Sequence, residues 1–98
     1  MLVRSISCAA LCLAAACDTP GRGFMGQPAE RVAAGGHVFD VRVRGDRAEA
    51  IRLNAAVFPS YGEVGPAAAL AIRRATGCEP QALTGDPSVV HATLACPG

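Results

Sequence analysis

The sequence predicts a small α+β domain: an antiparallel sheet of two β-hairpins with one helix packed on one face, in the order β-β-α-β-β, carrying one disulfide. Three observations point there. Residues 37–44 and 89–96 alternate apolar and polar positions, the period-two signature of strands with one buried face. Between them runs an Ala-rich stretch of helical period bounded by Pro66 and Gly77. Finally, Cys78 and Cys96 flank the second hairpin.

The first hairpin comes from two strands. Residues 37–44 set Phe39, Val41 and Val43 on one side and Asp40, Arg42 and Arg44 on the other; residues 47–54 follow, with Ile51 and Leu53 as their large apolar residues. A two-residue loop at Gly45 and Asp46 pairs Phe39 with Arg52 and Asp40 with Ile51, which mixes the faces. A three-residue loop over Gly45, Asp46 and Arg47 pairs Val41 with Ile51, Phe39 with Leu53 and Asp40 with Arg52. A one-residue slip flips every side chain, so the second register is expected.

Residues 55–63 read as a loop whose Val57, Phe58 and Tyr61 either fold back as a lid on the core or form a recognition lip. The helix is expected to start at Gly65 and Pro66, because proline fits a first turn. A capping box of Ser60 and Glu63 is the other start, but it leaves Pro66 inside the helix. Gly77 suits a left-handed helix end. Val64, Ala67, Ala68, Ala71, Ile72 and Ala75 share one face, and its small side chains permit close approach to a sheet. Arg73 and Arg74 read as a solvated helix end at the favourable pole of the helix dipole.

The second hairpin spans 78–84 and 89–96 around Gly85, Asp86, Pro87 and Ser88. Setting Thr84 opposite Val90 places Ala82 opposite Ala92 and Cys78 opposite Cys96. Val90, Ala92 and Leu94 then share the face of both cysteines. Pro80 cannot donate to a ladder, so residues 78–84 are expected to form an edge or irregular strand.

The N-terminus carries an address. Arg4 precedes a short apolar run, too short for the ~20 residues of a membrane-spanning helix. The run closes with Leu13, Ala14, Ala15, Ala16 and Cys17. This segment resembles the signal and lipobox of bacterial lipoproteins, with Ala14 where that family favours Leu. The resemblance covers only residues 1–17 and says nothing of the domain. It implies a signal peptide over 1–16 and lipidation of Cys17. The protein would then be anchored to the inner or outer membrane of a bacterial cell envelope, facing the periplasm, with the lipid bilayer and possible envelope proteins as partners. Ala14, Ala15 and Ala16 also satisfy the rule for ordinary secretion, which remains the alternative. Cysteine parity favours lipidation: with residues 1–16 removed, Cys17, Cys78 and Cys96 remain, and the lipid accounts for the odd one. Cys78 and Cys96 are then expected to form a disulfide. It would close a ring of about 19 residues and contribute about 3 kcal/mol to a domain of this size. Residues 18–36, with two Pro and five Gly, read as a flexible tether reaching about 20–25 Å. Phe24 and Met25 are its bulky apolar residues, expected to graze the domain or the membrane surface, with a partner-binding peptide as the alternative, and the folded domain is expected over 37–98.

Function is less legible. All nine basic residues are Arg; without residues 1–16 the chain has eight against eight acidic residues and is formally neutral. No electrostatic footprint for nucleic acid follows. No nucleophile elbow, P-loop or zinc-protease motif surrounds Ser60, Ser88, His37 or His91, so no enzyme and no cofactor is expected. Two cysteines without a CxxC or a clustered Cys/His do not supply four zinc ligands. The expected function is a non-enzymatic interaction domain. The alternative is a small-ligand or metal-binding module on the open sheet face near His91, with His37 as a second metal ligand if the first and last strands are neighbours. Phe58, Tyr61, Arg42, Arg52 and His91 mark the expected interaction surface, with Arg44 beside them.

Overall fold

The computed structural model describes residues 21–54 and 59–97. The expected lipidation site Cys17 and the loop residues Val57 and Phe58 lie outside these. Five antiparallel strands form one sheet: β1 (Glu30–Ala34), β2 (His37–Arg44), β3 (Arg47–Arg52), β4 (Glu79–Gly85) and β5 (Val89–Ala95). Their spatial order is β1-β2-β3-β5-β4. One helix, α1 (Tyr61–Thr76), joins β3 to β4 and covers one sheet face. A short 3-10 turn, Arg22–Phe24, precedes β1.

The expectation of a tether through residue 36 is corrected by β1. Its partner is β2, with Ala34 opposite His37, so Gly35 and Gly36 alone make the turn. Both take positive φ, 57° and 80°, as a tight two-residue hairpin loop demands. A Cβ on Gly35 would also lie 2.7 Å from the Ala67 Cβ of the helix. Glycine there serves the turn and the packing at once.

The register of the β2–β3 hairpin is the two-residue one. Phe39 lies opposite Arg52, Asp40 opposite Ile51 and Val41 opposite Ala50. This overturns the three-residue loop, and the reason is Glu49. The expected register would have turned Glu49 toward the helix with Ile51. Instead Ala48 and Ala50 take that face, both fully buried, and Glu49 moves to the other one. Burying a carboxylate among alanines without partners costs more than leaving Ile51 on the open face. The Arg52 partner expected for Asp40 is absent: Arg31 of β1 donates Nε to Asp40 Oδ1 at 3.1 Å.

Helix α1 starts earlier than expected, at the capping serine. Ser60 Oγ accepts from the Glu63 amide at 3.2 Å. Pro66 thus sits inside the helix. The carbonyl it deprives of a donor belongs to Gly62, which is exposed, so the loss falls where the helix meets solvent. Gly77 ends the helix at φ 72°, its N–H bonded to the Arg73 carbonyl. The core joins Val64, Ala67, Ala68, Ala71 and Ile72 of the helix to Phe39, Val41, Ala48, Ala50, Val90 and Ala92 of the sheet.

The β4–β5 pairing agrees with the expected register at the cysteine end, with Glu79 opposite Ala95 and Gln81 opposite Thr93. Cys78 and Cys96 are bonded, with Cα atoms 4.3 Å apart. Nearer the turn the register shifts by one: Thr84 faces His91 and Gly85 faces Val90. Ala82 and Leu83 together oppose Ala92, and Ala82 adopts φ 49°. This bulge corrects the expected Ala82–Ala92 pair. It turns Leu83 onto the core and leaves Ala82 exposed, exchanging a small buried side chain for a large one. β4, which holds Pro80, is an edge strand, as expected.

Candidate functional site

The sheet face away from the helix carries Asp40, Arg42 and Arg44 of β2, Arg47, Glu49 and Ile51 of β3, and Val89, His91 and Thr93 of β5. Sheet alternation puts these side chains together, and the segment before β1 closes over part of them. Phe24 is only 5% exposed. Its ring stacks on His91, with centroids 5.8 Å apart and planes inclined by 24°. Met25, next in the chain, remains 61% exposed.

Glu49 organises this closure. It is fully buried, yet both carboxylate oxygens have partners. The Gly21 amide donates to them at 2.9 and 3.2 Å. His91 Nε2 lies 2.9 Å from Oε2. A Cβ at position 21 would fall 2.5 Å from Glu49 Oε2, so any larger residue there would displace the carboxylate. A carboxylate bonded on both oxygens can stay charged without water. The contact suits the His91 tautomer that carries its hydrogen on Nε2. The Glu49 carboxylate pins the N-terminal segment to the sheet.

Beside the pair opens a groove of about 510 Å³. Gly21, Gly23 and Phe24 form one wall, and Arg44, Arg47, Thr84 and His91 the other. Arg44 and Arg47 lie directly opposite one another at the end of the β2–β3 hairpin. Arg44 Nη1 crosses to the Gly23 carbonyl at 3.4 Å. Among the described residues neither arginine pairs with a carboxylate. The bulge brings Thr84 opposite His91 and so to the rim.

The expected surface residues are dispersed. His91 lines the groove, its side chain 32% exposed. Arg42 is half-buried opposite Glu49, and its Nη1 has no hydrogen-bond partner among the described residues. Arg52 is removed from the open face by the register. Its Nε donates to the Pro87 carbonyl at 2.9 Å and its Nη1 to the Asn54 carbonyl, tying the β4–β5 turn to the end of β3. Tyr61 begins the helix and packs against the core with its hydroxyl buried. His37 and His91 cannot share a metal, because β3 separates their strands; His37 lies 3.5 Å from Asn54 Nδ2. Among the described residues no three His, Cys, Asp or Glu side chains cluster to hold an ion.

Glu49 and Gly21 went unforeseen, whereas Phe24 meets the domain as expected. A glutamate framed by Ala48 and Ala50, followed by Ile51, is the one local signal that position 49 needs a partner. No family model, curated protein or solved structure matches the chain.

Proposed function

We propose that the chain is a membrane-anchored lipoprotein of the bacterial cell envelope, held through lipidated Cys17 and facing the periplasm. Its domain is a non-enzymatic binding module whose contact surface is the open sheet face beside His91. One observation carries this reading: the segment that follows Cys17 docks on that face. Gly21 is bonded to Glu49, and only four positions separate it from Cys17. Four residues span at most about 14 Å. A lipid on Cys17 therefore keeps the groove at the bilayer surface, where a long free tether would have let it roam. No described helix is long and apolar enough to cross a membrane, so the anchor supplies the attachment.

Mass spectrometry of the mature chain from membranes tests the anchor. The expected product begins at Cys17 with a diacylglyceryl group. An N-terminus with an unmodified thiol overturns the lipoprotein reading in favour of ordinary secretion.

A further inference from the structure

We propose that the groove between the 3-10 turn and the β2–β3 hairpin binds a phosphate ester, and that its occupant is the headgroup phosphate of an anionic lipid in the bilayer holding Cys17. The choice of lipid rests on the anchored reading above; the choice of phosphate rests on the groove itself.

Arg44 and Arg47 face each other directly across the hairpin. Like charges in that position repel, and sequences ordinarily place opposite charges there. Among the described residues no carboxylate relieves the pair. The nearest buried acid, Glu49, is committed to Gly21 and His91. Asp46, in the turn between the two arginines, is exposed, and its carbonyl accepts from the Leu94 amide. Two guanidiniums on one groove wall, with a hydroxyl from Thr84 and the His91 ring beside them, are complementary to a tetrahedral oxyanion.

The opposite wall fits the same ligand. Gly23 has open space where a Cβ would stand, so backbone lines the groove there. Phe24 is turned inward onto His91, which keeps that wall low. Met25, next in the chain, is an exposed apolar residue. A phosphate flanked by an acyl-bearing glycerol satisfies both features. A free inorganic anion satisfies only the arginines.

The full chain is compared in two settings. In detergent solution it is titrated with glycerol 3-phosphate. Separately it is reconstituted in nanodiscs of phosphatidylcholine, with or without phosphatidylglycerol. Amide and arginine side-chain NMR signals of Gly23, Arg44, Arg47, Thr84 and His91 report on the groove. We expect these signals to shift together when phosphatidylglycerol is present. Arg44→Gln with Arg47→Gln should weaken the response by about tenfold or more, the loss of at least one charge-assisted pair. The same double variant should melt close to wild type, since the repulsion it removes offsets the long, exposed Arg44–Gly23 bond it loses. A shift with glycerol 3-phosphate but none with phosphatidylglycerol overturns the lipid as occupant and assigns a soluble phosphate ester. No shift in either setting overturns the site. The mass of the mature N-terminus is read on the same samples, so loss of the anchor and failure of the groove are separate results.

Discussion

Among the described residues each face of the sheet buries one phenylalanine, and the two are held by different physics. Phe39 is sealed under helix α1 within a cluster of alanines, valines and Ile72, and the match is mainly one of size. Phe24 is nearly as deeply buried on the other face, but its neighbour is His91, and the segment carrying it is secured by hydrogen bonds to Glu49. The helix side is closed by apolar area packed to fit. The other side is closed by a few polar bonds, each with a defined geometry. One face therefore carries the main core, while the other carries a cover held by a few specific bonds.

The largest effect should come from the helix side. Phe39→Ala removes a fully buried ring and leaves a cavity, at a cost of about 3–5 kcal/mol. A domain of this size has little more to lose, so urea denaturation should show a largely unfolded population without denaturant. If Phe39→Ala melts like wild type, the division between the faces is wrong.

Close behind is the disulfide, which ties both strands of the β4–β5 hairpin just beyond the helix end. Cys78→Ser with Cys96→Ser should lower stability by about 3 kcal/mol in the chain-entropy model and drop the Tm by many degrees. Thiol labelling of the denatured, unreduced wild type checks the premise: labelling at Cys78 or Cys96 would mean the bridge is absent. Anchoring should be unaffected, since it belongs to Cys17.

How far the sequence foretold these two faces differs as well. The helix side was legible in its residues: the spacing of Val64, Ala68, Ala71 and Ile72 gives the buried stripe, and Cys78 and Cys96 fall opposite each other. The register of β3 was misjudged because large residues, Ile51 and Leu53, were weighted above the small ones. A helix this rich in alanine wants Ala48 and Ala50 beneath it. Strand β1 escaped notice because five residues ending in two alanines give little alternation, although Gly35 and Gly36 are a strong hairpin signal. The Glu49 site was beyond local reading. It depends on the register of one strand, on the neighbour relation of β3 and β5, and on a glycine 28 residues upstream.

The polar face should respond to mutation in a different manner. Glu49→Ala leaves the Gly21 amide and His91 without their acceptor, and should cost about 2–3 kcal/mol. Phe24→Ala should cost less, about 1–2 kcal/mol, because the ring lies outside the main core cluster and its stacking contribution is modest. Both should release the segment around Gly21 before the sheet melts. Hydrogen exchange would show this as faster exchange at Gly21 and Phe24 with the amides of β2, β3 and β5 still protected. Uniform loss of protection across all of them would show that the cover and the core are one cooperative unit.

The smallest effect lies outside both faces, at the C-terminal end of the helix. Arg73 Nε and Nη2 donate to the two carboxylate oxygens of Glu79 at 2.8 and 2.7 Å. These hydrogen bonds hold the Glu79 carboxyl below its ordinary value of 4.5; slight burial opposes them and the arginine charge adds to them. The folded state thus binds this proton less readily than the unfolded chain. The contribution to stability is complete above the ordinary value and is lost as pH falls through the lower, folded one. Both side chains are about half exposed, at 46% and 55%, so solvent and salt screen the pair heavily. Glu79→Gln should therefore lower the Tm only slightly at neutral pH. The difference from wild type should shrink in acid below the carboxylate range, and shrink again in high salt. A loss as large as that of Glu49→Ala, or one that ignores both acid and salt, would show that Glu79 acts through packing of the β4 edge on the helix and not through its charge.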